Sequence, residues 1–220
     1  MKKVTAGLMA LSLFSSVSAA ETSSSALESD SISKTYLGLD IYQGESNFDL
    51  SKGSGWASTY SDFDSDLDGF RLKFGKRLPE NVRYQAYFKS EEATEAGISG
   101  IFDENIYGIG LDVIKTIPVG GELLSIFGLA GAGLDWTELK DHVFGEYSED
   151  SINAFHIKLG FGASYQINKS LEVITGLDWQ YRSWQEIEIL YIYPDGHIHK
   201  NDLEIEDIST TFYAGINLYF

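Results

Sequence analysis

Phe212-Tyr213-Ala214-Gly215-Ile216-Asn217-Leu218-Tyr219-Phe220 alternates from one end to the other. In an extended chain successive side chains point to opposite faces. Phe212, Ala214, Ile216, Leu218 and Phe220 therefore share one apolar face, and polar or small residues separate them. A period of two, rich in aromatic and branched residues, marks a strand rather than a helix.

The same theme recurs on the way back toward the N-terminus. Val173, Thr175, Leu177, Trp179 and Tyr181 alternate with Ile174, Gly176, Asp178, Gln180 and Arg182. Phe155, Ile157, Leu159, Phe161, Ala163 and Tyr165 alternate with His156, Lys158, Gly160, Gly162 and Ser164. The run LLSIFGLAGAGLDW, within about 122–136, fits either register, so its faces stay open. Tyr107 to Val113, Val82 to Lys89, Phe70 to Gly75 and Tyr36 to Ile41 complete a set of eight segments.

Short breaks at 79–81, 117–121 and 168–170 alternate with long segments near 44–66, 90–104, 137–152 and 185–207. Short turns on one side and long loops on the other are the pattern of outer-membrane barrels. The sequence therefore predicts an all-β chain: an eight-stranded antiparallel up-and-down transmembrane β-barrel over residues 34–220. A soluble sandwich or lipocalin-like barrel is the competing fold. Gly-rich polar faces with charges of both signs, and large aromatics near strand ends, weigh against it.

Ahead of the barrel lie two further segments. Lys2 and Lys3, the apolar run around Leu8–Phe14 and the small residues Ser16-Val17-Ser18-Ala19 read as a signal peptide over 1–19, cleaved near Ala19. Residues 20–33, Ser-rich and acidic, read as a flexible leader. The absence of cysteine excludes disulfides and thiolate metal sites. Loss of Lys2 and Lys3 with the signal peptide takes the formal charge of −17 to −19, which argues against nucleic acid as a partner.

The closing alternation resembles the C-terminal β-signal of outer-membrane proteins, a terminal Phe preceded by apolar residues at alternate positions. Phe212, Ile216, Leu218 and Phe220 are the matching residues. The resemblance implies recognition by the barrel assembly machinery. Residues 34–220 as a whole resemble the small eight-stranded group: the transmembrane domain of OmpA, OmpX and the opacity proteins. The resemblance implies a monomeric barrel in the cell outer membrane, in contact with outer-membrane lipid and lipopolysaccharide. No peptidoglycan-binding domain is expected.

Four features could carry function. The face opposite the apolar one directs Asp40, Arg71, Lys73, Arg83, Lys89, Asp112, Lys158, Glu172, Asp178 and Arg182 into the lumen. Charges removed from water need partners, so a self-compensating polar core is expected there, with a narrow ion path as the alternative. Asp64-x-Asp66-x-Asp68-Gly69 has the oxygen spacing that opens a Ca²⁺ loop, but the twelfth position is Gly75 instead of Glu, which leaves a weak metal candidate. His142, His156, His197 and His199 lack the companions of a metal or catalytic site. The four long segments carry net charges of −4, −5, −4 and −6, so the rest of the mature chain is neutral. In the last of them, Ile187–Tyr193 and Pro194-Asp195-Gly196-His197 read as a hairpin whose edge could pair with an extracellular protein.

The sequence thus predicts a non-enzymatic outer-membrane barrel that displays acidic extracellular loops. Its role would be structural, in envelope integrity, or adhesive. A narrow porin-like channel for ions or small solutes is the alternative. No cofactor is expected.

Overall fold

A computed structural model describes residues 33–52, 61–94, 102–119, 123–139, 146–147, 151–192 and 198–220. The signal peptide and most of the leader lie outside these residues. Among the described residues ten strands run in chain order: β1 Lys34–Lys52, β2 Ser61–Arg77, β3 Val82–Thr94, β4 Phe102–Pro118, β5 Leu124–Leu139, β6 Glu146–Tyr147, β7 Ser151–Asn168, β8 Leu171–Trp184, β9 Ile187–Ile192 and β10 Ile198–Tyr219. Eight of them pair in the order β1-β2-β3-β4-β5-β7-β8-β10, and β10 returns to β1, so the sheet closes. Every pairing is antiparallel. The eight-stranded barrel expected from the alternation is the fold that forms.

Closure removes the free edges that an open sheet would present to lipid. At one end, the turn end, β2 and β3 are joined by a short 3-10 turn at Pro79–Asn81. Glu80 and Asn81 take the left-handed backbone there, with φ of 67° and 58°. β7 and β8 meet at the same end through Lys169 and Ser170. At the other, tall end, β9 pairs with the start of β10 as a hairpin, and the two residues of β6 pair with β9. Pro194 to His197 lie outside the described residues.

The barrel strands are 13 to 22 residues long, whereas about 9–11 tilted residues cross a bilayer. The excess corrects one sequence expectation. Much of 44–66, 90–104, 137–152 and 185–207 is strand, not loop: β1 runs on to Lys52, β2 starts at Ser61, β7 starts at Ser151 and β10 starts at Ile198.

The two faces change character along these strands. Near the turn end the outside is apolar, with Leu111 68 % and Ile41 64 % exposed, and the inside is mostly polar, with Ile114, Phe127, Leu129 and Ile174 as a small apolar cluster beside the charges. Toward the tall end the order inverts. Phe48, Leu67, Ile106, Ile152 and Ile205 point inward at 0–1 % exposure. Glu45, Asn47, Asp64, Asp66, Glu92, Glu204 and Glu206 point outward. The switch falls at one level around the wall: Ser46 to Phe48, Glu91 to Ala93, His156 to Ala154, Arg182 to Trp184 and Asp207 to Ile205 are each a two-residue step on one face. The tall end therefore follows the inside-outside rule of a water-soluble barrel, and the turn end follows that of a membrane barrel.

Candidate functional site

All ten lumen side chains read from the sequence are buried in the barrel interior. Three further acids join them: Glu91, Asp135 and Asp207. The sequence left Asp135 unassigned because its strand fits either register. In the structure β5 turns Ser125, Phe127, Leu129, Asp135 and Thr137 inward. Glu91 and Asp207 fall in segments read as external loops, and their burial is a correction to that reading. Among the described residues seven buried carboxylates thus meet six buried cations and His156.

The network forms three linked levels. Nearest the turn end, Arg83 donates two bonds of 2.6 Å to Glu172. Glu172 also accepts from Asn217 at 2.9 Å and from Tyr219 Oη at 2.8 Å. Beside it Tyr36 donates to Gln85 at 2.8 Å, and Gln85 donates to Asp112 at 2.7 Å.

In the middle, Arg71 bridges Asp178 at 2.9 Å and Asp40 at 3.2 Å. Its guanidinium lies 5.1–5.7 Å from the ring centres of Tyr42, Tyr87 and Tyr213, close enough for cation–π attraction. Lys73 pairs with Asp40, and Lys158 pairs with Asp112 at 3.0 Å. A cavity of about 10 Å³ between Arg71, Lys73 and Arg83 has room for one water at most.

At the upper level Arg182 pairs with Asp207 at 2.8 Å and Glu91 at 2.7 Å. Lys89 pairs with Glu91 at 3.0 Å and Asp135 at 3.1 Å. His156 sets Nδ1 3.0 Å from Asp135 and Nε2 2.6 Å from Tyr87 Oη. An Asp–His–hydroxyl relay has the chemistry of a nucleophile, yet His156 is 0 % exposed and nothing of substrate size reaches it. Trp184 Nε1 and Ser46 Oγ donate to Asp207 at 2.8 and 2.9 Å. Above that level the lumen is filled by the apolar cluster of Phe48, Leu67, Ala93, Ile106, Ile152 and Ile205 with their neighbours.

Asp64, Asp66 and Asp68 stand at alternate positions on the outer face of β2. Alternate residues on a strand lie about 7 Å apart, too far for three carboxylates to share an ion as a Ca²⁺ loop does. That strand geometry corrects the loop expected there. Among the described residues no group of three His, Asp or Glu side chains could hold a metal. His142 and His197 lie outside the described residues. Phe212, Ile216, Leu218 and Phe220 point outward at 42–71 % exposure.

The outer membrane protein β-barrel domain matches residues 6–220. The chain belongs to that family. Its place is therefore the outer membrane, and its belt of outward Leu, Ile, Phe and Val faces lipid. Among solved structures the chain is similar to Neisserial surface protein A, at 14 % identity and a TM-score of 0.50, over 84 % of this chain and 97 % of that one. It is also similar to OprG from Pseudomonas aeruginosa, at 13 % identity and a TM-score of 0.47, over 85 % and 96 %. For OprH from P. aeruginosa the values are 15 % and 0.48, over 85 % and 99 %. At 14 % identity the likeness to Neisserial surface protein A speaks to fold alone. No curated protein matches the sequence.

Proposed function

We propose that this chain is a sealed, non-enzymatic outer-membrane barrel that carries an acidic β-walled extension beyond the outer leaflet, with an adhesive or envelope-stabilising role. The turn end and both termini face the periplasm, and the tall end faces outward. Supporting the orientation, an apolar outer wall at the tall end is replaced by a charged one, which belongs in water and not in hydrocarbon.

The observation that carries the reading is the double filling of the lumen. A compensated charge network is followed along the axis by an apolar plug of side chains at 0–1 % exposure. An eight-stranded barrel has room for side chains and little else. The display surface is the wall β10-β1-β2-β3. It turns Asp202, Glu204, Glu206, Glu45, Asp49, Asp64, Asp66, Asp68 and Glu92 outward. Such a surface attracts cationic partner surfaces and suits divalent bridging to lipopolysaccharide phosphates. An extracellular protein and lipopolysaccharide are accordingly the proposed partners. The barrel works as a monomer, inserted by the barrel assembly machinery through β10 and the Phe220 that follows it.

Planar-bilayer recording of the refolded protein tests the sealed reading. No steady conductance is expected. Stable, ion-selective openings would instead establish the narrow channel.

A further inference from the structure

A groove of about 620 Å³ indents the outer wall between β1 and β5. Ala86 and Ala132 are the low points of its floor with Leu111 standing between them, while Leu37, Phe74 and Leu134 stand as its flanks. Phe74, Ala86, Leu111 and Ala132 are successive cross-strand partners, so the depression crosses the wall within the apolar belt. One alternate position nearer the turn end, the row is Lys76, Tyr84 and Val113. The next outward position on β4 is Lys115, paired with Val82. Lys76 is exposed, and Lys115 is half-buried with Nζ 2.7 Å from the carbonyl oxygen of Glu80. Tyr84 lies between the two lysines at 50 % exposure. Lys34 and Arg77 add charge at the adjacent mouth, and Glu80 is the acid on the neighbouring turn.

We infer that this face holds an anionic glycerophospholipid, with its phosphate against Lys76 and Lys115 and one acyl chain along the Ala86–Ala132 groove. Charge complementarity selects the occupant. Lys76 lies about 7 Å below the groove, roughly two strand residues, and Lys115 about 13 Å below it, roughly four, with its side chain on the Pro79–Asn81 turn. A headgroup sits in this span when its chain enters hydrocarbon. A tyrosine between them is the interfacial anchor of such a boundary. The same β1–β3 wall is acidic at its other end, so an anionic headgroup is drawn to the turn end alone. The leaflet that supplies the lipid follows from the orientation proposed above, and the chemistry of the site does not.

The test uses the full barrel refolded into vesicles of phosphatidylcholine and phosphatidylglycerol in equal amounts with matched chains. Mild detergent extraction and native mass spectrometry then read the retained lipid. One phosphatidylglycerol per barrel is expected, preferred about tenfold over phosphatidylcholine. The double variant Lys76→Gln, Lys115→Gln should lose that preference, and Ala86→Phe should lower retention of both lipids. Gel heat-modifiability checks folding, and Ala132→Leu fills the same groove if Ala86→Phe fails to fold. Equal retention of the two lipids, or a preference that survives the lysine substitutions, would overturn the site. So would a mass doubled without lipid and abolished by Ala86→Phe, which would make the occupant a second copy. None of these outcomes bears on conductance, so the sealed-barrel reading stands or falls separately.

Discussion

Lumen residues are paired with lumen glycines. Asp40 lies directly across from Gly215, Asp112 from Gly131, Asp135 from Gly108 and Asp178 from Gly160. Tyr36, Tyr42, Tyr87 and Tyr213 likewise lie across from Gly75, Gly69, Gly110 and Gly176. A Cβ at any of these glycines would collide with the partner's carboxylate or ring. The glycines are thus the recesses that let bulky polar side chains lie flat in a narrow lumen. Alternation made the lumen face legible in seven strands. It failed at Asp135, because Gly128 to Gly133 contains only Gly, Ala and Leu and both phases look alike. The energetic consequence is sharpest at Arg83, which is 3 % exposed and bidentate to Glu172. Arg83→Ala strands a buried carboxylate, and urea titration in lipid should show a loss of about 3–5 kcal/mol. Glu92→Gln on the outer face should move stability by less than about 0.5 kcal/mol. Equal shifts for the two would mean that the network does not hold the barrel.

Each long strand combines two patterns of one period. In β1 the inward set runs Tyr36, Asp40, Tyr42, Ser46, Phe48 and Leu50, polar to apolar, while the outward set runs from Leu37 and Ile41 to Glu45 and Asn47. The strand phase never slips; only the solvent outside changes. Read from the sequence, the outer half looked like loop because its polar residues stood where lipid-facing ones were expected. Glu91 and Asp207 were lost to the same error. Continuing the pairing outward has a cost, since like charges meet across strands: Glu45 opposes Asp66, Asp68 opposes Glu92 and Asp49 opposes Glu206. Such pairs destabilise a sheet. Asp66→Lys should therefore stabilise the folded barrel by about 0.2–1 kcal/mol in urea titration at low salt, and the gain should shrink at high salt as screening shortens its reach. A loss of stability would show that Asp66 is held by an attraction and not opposed by its neighbours.

At the scale of the molecule the proposed sealed barrel would be closed twice over by different physics. The charged levels are sealed because opening a water column there would separate Arg71 from Asp178 and Arg182 from Asp207. Buried charges do not part without several kcal/mol of compensation. The apolar plug is sealed because Phe48, Ile152 and Ile205 leave no polar surface to wet. Each barrier suffices alone, so breaching one should leave the barrel silent. Phe48→Ala with Ile205→Ala hollows the plug and leaves the charges paired. Arg71→Ala with Asp178→Ala removes an ion pair together, avoiding a stranded charge, and leaves the plug intact. In planar bilayers neither pair of substitutions should conduct, whereas all four together should give steady current. Current through the first pair alone would show that the charge network is permeable and the plug is the only gate. Silence with all four would show that the remaining side chains collapse into the space, as a core of adaptable packing can, and that the seal does not reside in these two layers.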